Sequence, residues 1–312
     1  MDSSQNQKLT PEDLVRQLRA RLGLACIVDI DVLEKTASTN AVLMQRPFLD
    51  QPKPSAMLWA LTQTSGRGRR GRVWHSHPEH ALTFSMSFES EVRDHSRLAS
   101  LSPATGLKLA KELSRIAPGI RVKWPNDLWR EGKKIAGVLL EATQRGRIQR
   151  VVIGIGINLF WPNQESLHVT EPGADSAMLR PQEPGGMFEQ AASLELKLDV
   201  LSACAKVMGE LHRQAQDATH LGAAWFSDWH AFDALADQQV FLYQDQQLIA
   251  RGMNAGVDSD GAFMLQPTTN VSEHSRQSPK SKALQRFEIG EISLRGAEST
   301  GSVSRNPVKI VP

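Results

Sequence analysis

The sequence predicts an α+β fold: a mixed β-sheet flanked by helices, with a small β-domain behind it. Three observations carry this. Apolar runs of strand character alternate with helical periodicity up to about residue 160. Residues 162–186 turn rich in Pro and Gly, as a long loop does. After about residue 235 only short strands recur, separated by polar stretches. A length of 312 residues suits about two domains. The expected division is a helical extension over 1–25, a main domain over 26–235, a β-domain over 236–296 with a mobile loop at 268–283, and a tail over 297–312.

In order, Thr10 can cap a helix that Pro11 opens, with Leu14, Leu18 and Leu22 on one face and Gly23 at its end. Residues 26–33 read as a strand, and Ser38-Thr39-Asn40 as a turn or helix cap. Residues 56–62 are an apolar strand. Leu82, Phe84, Met86 and Phe88 alternate with polar residues, as in a half-buried strand. Ser102-Pro103 is expected to start a helix with Leu107, Ala110, Leu113 and Ile116 inward. Residues 120–124 form a strand broken at Pro125-Asn126-Asp127. Residues 134–142 and 150–157 form two adjacent strands joined by a polar turn. Residues 188–213 and 221–232 read as helical, and 286–295 as a last strand. Trp59, Trp129, Trp225 and Trp229 read as packing residues.

Composition excludes several classes. Hydrophobic residues are 40% and charged residues 22%, ordinary for a globular protein. Lys and Arg number 36 against 34 Asp and Glu, too balanced for a protein that coats nucleic acid or for a highly charged disordered chain. No apolar run approaches about 18 residues, so no membrane span is expected. The N-terminus lacks the apolar core of a signal peptide. Cys26 and Cys204 have no metal-ligand spacing and fit a reducing cytoplasm.

The densest chemical signal is Gly66-Arg67-Gly68-Arg69-Arg70-Gly71-Arg72. Four arginines fall within six residues, and no acid occurs between Asp50 and Glu79. The bland reading is a solvated basic loop. The interleaved glycines favour anion binding, because they let backbone N–H groups approach phosphate oxygens that guanidinium forks can also hold. Self-repulsion and glycine entropy predict that 66–72 lacks fixed structure without a ligand. A match to the dinucleotide fingerprint G-x-G-x-x-G fails, since no helix signal follows the glycines. Lys123-Trp124-Pro125-Asn126-Asp127 places a cation, an amide and a carboxylate at the end of a strand, although Pro-Asn-Asp alone is a common turn. Lys134 opens a buried strand, which is costly unless it points out or meets an anion. Gly137, Gly154 and Gly156 weaken core strands unless something packs flat against the backbone. His75, His77, Glu79 and His80 cluster in sequence but lack a helical ligand spacing, and read as surface residues.

These stretches, in this order, closely resemble the biotin–protein ligase family, its bacterial members above all. They are STN at 38–40, Q-x-x-GRGRRGR-x-W at 63–74, KWPNDL at 123–128, KIAGVLLE at 134–141 and GIGINL at 154–159. GEISLR at 290–295 is similar to the end of the family's small terminal β-domain. The resemblance implies a class II synthetase-like catalytic sheet followed by an SH3-like barrel. It also implies activation of biotin with ATP and Mg²⁺ to biotinyl-5′-AMP, and transfer to one lysine of a biotin carboxyl carrier protein. Position by position, it implies that Ser38, Thr39, Asn40, Gln63, Arg67, Gly68, Arg69, Lys134, Gly137, Gly154 and Gly156 border biotin. Arg69, Arg72, Trp74, Lys123, Asn126, Asp127, Lys134 and Asn158 would border ATP or the adenylate, with Trp74 stacked on adenine and Mg²⁺ near Asp127. Arg67, Arg69, Lys134 and Asp127 would carry the chemistry, with Asp127 also placed to take a proton from the incoming lysine. Only about 25 residues precede the first strand, so the chain resembles the monofunctional class, and no DNA binding is expected. A monomer or a homodimer is equally compatible. The sister class of lipoate or octanoate ligases lacks the arginine-rich loop and KWPND. A nucleic-acid-binding protein or a non-catalytic biotin-binding regulator would leave these motifs unexplained.

Overall fold

In the computed structural model the residues described are 9–23, 29–74, 79–91, 97–162, 184–217, 223–245, 247–267, 283–288 and 292–296. The first helix, α1 (Pro11–Leu22), has the expected capping box: Thr10 and Asp13 bond reciprocally, and Leu14, Leu18 and Leu22 are buried. The next elements are β1 (Asp29–Thr36), α2 (Thr39–Gln45), β2 (Ala56–Gln63), β3 (Ala81–Glu91), α3 (Arg97–Leu113), β4 (Arg121–Lys123), β5 (Asp127–Arg130), β6 (Lys133–Arg145), β7 (Ile148–Asn158), α4 (Leu194–Asp217) and α5 (Trp229–Phe232). The seven strands form one mixed sheet in the order β1-β2-β3-β7-β6-β5-β4, with only β1 and β2 parallel. Five further strands, β8 (Gln239–Gln244), β9 (Gln247–Val257), β10 (Phe263–Pro267), β11 (Gln285–Phe287) and β12 (Ile292–Gly296), form a small antiparallel sheet in the order β11-β10-β9-β8-β12.

The two faces of the large sheet differ. One face buries Met57, Trp59, Leu82, Phe84, Met86 and Ile155 in a core shared with α1, α3 and α4, which continues into Val240, Leu242, Phe263 and Leu265 of the small sheet. The other face carries α2, seated on a small cluster of Leu43, Ala56, Leu58 and Val152. This second layer revises the reading of β3. Its polar residues Thr83, Ser85, Ser87 and Glu89 are buried, not solvated, because α2 and the residues around it cover them.

Other boundaries also moved. The first strand is described from Asp29, and its expected start falls outside the described residues. Helix α3 is described from Arg97 and runs through Pro103, since burial of Ala104, Leu107, Leu109, Ala110 and Leu113 outweighs the missing N–H. The run 286–295 is two strands, not one: β11 pairs with β10 and β12 with β8, at opposite edges of the small sheet. The expected loop at 268–283, the tail at 297–312 and most of 162–186 lie outside the described residues. No described helix is long and apolar enough to cross a membrane.

Candidate active site

The site is built on the α2 face of the sheet, where three strands run glycine and small polar residues side by side. Register places Asp127 opposite Gly137, Gly137 opposite Gly156, and Gly156 opposite Thr83. One row further, Gly154 stands opposite Ser85. The glycines are required by what lies on them. A Cβ on Gly154 would fall 2.2 Å from Asn40 Oδ1, and one on Gly156 would fall 2.3 Å from the Trp74 indole.

The first half of the site is a polar chain at the N-terminus of α2. Ser38 caps the helix by accepting from Ala41 N. Gln63, at the end of β2, accepts from Thr39 N at 2.9 Å and from Thr39 Oγ1 at 3.1 Å. Thr39 Oγ1 lies 2.6 Å from Ser85 Oγ, which donates to Asn40 Oδ1. Asn40 Nδ2 donates to Glu141 at 2.7 Å. Every member is held by its neighbour, so this polar chain has one fixed arrangement. Ser85 and Glu141 were missed by sequence reading. The signal for Ser85 was the polar alternation of β3, taken for solvent exposure.

The second half is charged. Lys134 Nζ lies 2.7 Å from Asp127 Oδ1. Arg69 Nη1 donates to Asn126 Oδ1 at 3.3 Å, and Asn126 Nδ2 in turn donates to Val138 O. The Lys134 ammonium sits 5.7 Å from the Trp74 ring centroid, beside Gly137, so Trp74 joins the two halves. Burial, and next the charge of Arg70, push the Arg69 guanidinium down from its ordinary pKa, with Asp127 opposing them. A guanidinium does not release its proton at neutral pH. Arg69 is therefore a half-buried, permanently charged guanidinium beside Asn126, a group suited to an anion.

The arginine-rich run, expected to lack fixed structure, is a tight hairpin. Gly68 N donates to Arg72 O, Trp74 N donates to Gly66 O, and Arg67 bridges Val73. Arg70 and Gly71 at its tip have positive φ. Cross-strand bonds and the seating of Trp74 on Gly156 offset the repulsion of the arginines. Arg67 and Arg72 stand exposed on this hairpin. Lys123 shares a face of the β4–β5 ribbon with Asp127, and its ammonium rests 4.4 Å over the Trp129 ring. Asn158 ends β7, buried, with an Oδ1 that has no hydrogen-bond partner. Trp74 Nε1 is likewise buried without a partner. The histidine run at 75–78 lies outside the described residues, while His80 packs edge-on against Phe160. Among the described residues no group of three or more His, Cys, Asp or Glu could hold a metal.

The arrangement is a hydrogen-bonded polar chain at the N-terminus of α2 beside a cationic, glycine-bounded half suited to an anion. The chain belongs to the biotin/lipoate A/B protein ligase family, whose model matches residues 32–158. The bifunctional ligase/repressor BirA of Escherichia coli is 30% identical over 273 residues, which cover 86% of this chain and 75% of that protein. The biotin–[acetyl-CoA-carboxylase] ligase of Paracoccus denitrificans is 29% identical over 252 residues, covering 75% of this chain and 92% of its own. The fold is that of the Aquifex aeolicus biotin protein ligase solved with biotin and ATP, with a TM-score of 0.61 at 22% identity over 86% of this chain and 99% of that one.

Proposed function

We propose that this chain activates biotin with ATP to biotinyl-5′-AMP, releasing pyrophosphate, and then passes biotin to the ε-amine of one lysine on a biotin carboxyl carrier protein. The observation that carries the reading is the adjacency of the Lys134–Asp127 pair and Arg69–Asn126 to the pocket of Thr39, Asn40, Gln63 and Ser85. Hydroxyl and amide groups in a fixed chain suit a ureido ring, which offers two donors and an acceptor. Support from relatives comes through the biotin–[acetyl-CoA-carboxylase] ligase of Paracoccus denitrificans.

In the first step a biotin carboxylate oxygen attacks the α-phosphorus of ATP and pyrophosphate leaves. Two anions must be brought together, so charge has to be neutralised along the whole reaction axis. Lys134, held by Asp127, supplies a cation where the carboxylate meets the phosphate. Arg69 supplies a second one from the hairpin. The partnerless Asn158 Oδ1 and Trp74 Nε1 are an acceptor and a donor left for ligand atoms. A divalent cation bound to the nucleotide would neutralise the leaving pyrophosphate. Asp127 is the carboxylate that would face it, since Mg²⁺ needs few protein ligands when phosphates supply the rest. In the second step the deprotonated carrier lysine attacks the acyl carbon and AMP leaves. Lys134 and Arg69 then stabilise the departing phosphate.

The test is pyrophosphate release from the purified protein given ATP with biotin, and separately with lipoate or octanoate. Release with biotin alone is expected. Release with lipoate or octanoate in its place would overturn the reading in favour of the sister class.

A further inference from the structure

The small sheet does more than share a core with the large one. Together with the segment between α5 and β8 that leads into it, the small sheet grips β4, the three-residue strand that leads into Asn126 and Asp127. At one point Val122 O accepts from Ala234 N at 2.8 Å, and Asp233 forms a bridge alongside Val122. The buried Asp233 carboxylate is fixed by Trp229 Nε1 at 2.9 Å, by Leu235 N at 2.9 Å, and by Nδ2 of Asn254 on β9 at 2.8 Å. The second point is Trp124, the residue that follows β4. Its buried indole donates from Nε1 to Gly261 O at 3.0 Å and packs 5.4 Å from the ring of Phe263 on β10.

The turn that offers this carbonyl is itself rigid. Asp258 Oδ1 accepts from Asp260 N and Ala262 N, and Asp258 also pairs with Arg286. Gly261 has φ +77°, and a Cβ there would meet Phe226 at 2.7 Å and Pro103 at 2.9 Å, so the turn is pressed against the main body. Ser100 Oγ on α3 donates to Asp260 O beside it. Two residues beyond Trp124 lies Asn126, which holds Arg69, and then Asp127, which holds Lys134.

We propose that Trp124 is a positioning residue: its indole bond to Gly261 O and its contact with Phe263 let the small sheet set the turn that presents Asn126 and Asp127 to the nucleotide. The inference rests on the activity proposed above. Trp124 acts by fixing where the next three residues stand, and misplacement by a fraction of an ångström lowers the rate of a reaction that depends on aligned charges.

The experiment is biotin-dependent ATP–pyrophosphate exchange in the full chain, comparing wild type with Trp124→Phe, which keeps one aromatic ring and removes the pyrrole ring that carries the donor. Loss of one buried hydrogen bond is expected to raise the KM for ATP about tenfold. Biotin affinity, governed by the α2 half, is expected to stay within about twofold. Deuterium uptake at residues 126–128 is expected to rise while uptake at 38–45 is unchanged. Should Trp124→Phe fail to fold, Phe263→Leu on β10, far from the polar pocket, carries the same measurement. A variant with a lowered Tm but wild-type KM and wild-type exchange at 126–128 would overturn the inference, leaving Trp124 a packing residue. Absence of exchange activity in the wild type would instead overturn the reading on which it rests, and the deuterium measurement separates the two failures.

Discussion

Lys134 shows how a single side chain joins fold to chemistry. It stands at the start of β6 on a half-buried surface, where the Asp127 carboxylate 2.7 Å from its ammonium offsets the cost of burying the charge. Under the proposed reaction, Lys134→Gln keeps the size and some of the hydrogen bonding but removes the charge. Adenylation, measured as pyrophosphate release, is expected to fall by about 10²–10³-fold, the usual effect of removing one preorganised charge-stabilising donor. Arg69 has a different task. It sits beside the tip of the hairpin, against Asn126, so Arg69→Ala is expected to leave the fold intact and speed dissociation of biotinyl-AMP about tenfold or more. An unchanged release rate in a trapped-adenylate chase would remove Arg69 from the retention role. At this scale the sequence was informative where residues carry charge or lack a side chain: Arg69, Asp127, Lys134, Gly154 and Gly156 all fall in one place. It was blind to Ser85, because alternation alone does not say whether the polar face meets water or another layer.

At the scale of elements, helix α2 illustrates what pattern reading omits. Seven residues with no strong amphipathic period announce themselves only by the cap at Ser38. What holds the helix is distant in sequence. The buried guanidinium of Arg150 on β7 donates to Leu43 O and Met44 O at 3.2 Å, at the helix's far end, and to Glu89 of β3 at 2.8 Å. No local rule pairs residues 43, 89 and 150. Arg150→Met is expected to destabilise by about 3–5 kcal/mol, because it leaves the Glu89 carboxylate buried without its partner. Adding Glu89→Gln is expected to restore part of that, as read from denaturant midpoints. Helix α4 contributes a pH dependence. His212 stacks on Phe88 at 4.4 Å, and burial holds its imidazole below the ordinary value of 6.5. Between that lowered value and 6.5 the unfolded chain binds a proton that the folded chain refuses. Stability is therefore full above this window and declines as pH falls through it. A His212→Leu variant is expected to lose that slope in thermal melts between about pH 7 and pH 5. An identical slope in the variant would assign it elsewhere.

For the whole molecule, the α+β class, the mixed sheet and the trailing small sheet were legible because strand and helix periods are local. The seven-strand order was not, since β4 at one edge and β1 at the other are chosen by contacts far apart in sequence. The doubling of the last run into β11 and β12 was also hidden, because a continuous polar–apolar rhythm crosses the point where the chain changes edges. A single core spanning both sheets predicts that ligand binding stabilises them together. Biotin with ATP, at a hundredfold excess over the dissociation constant of the adenylate, is expected to add about 2.7 kcal/mol to unfolding as one transition, and lipoate with ATP to add nothing. Two separate transitions in calorimetry would show that the sheets melt independently.

Trp74 gives the molecule an optical reporter of its own. Its indole lies on Gly156 with the Lys134 ammonium close by; Trp129 and Trp225 also sit beneath ammonium groups, but Trp74 is the one that joins the two halves of the site. An anion that takes up the Lys134 charge, or a ligand that slides beneath the ring, alters that field and the asymmetry of the ring's surroundings. The near-ultraviolet dichroism lost in Trp74→Phe would thus be the same band that moves as the site fills, and the protein can be titrated without any label.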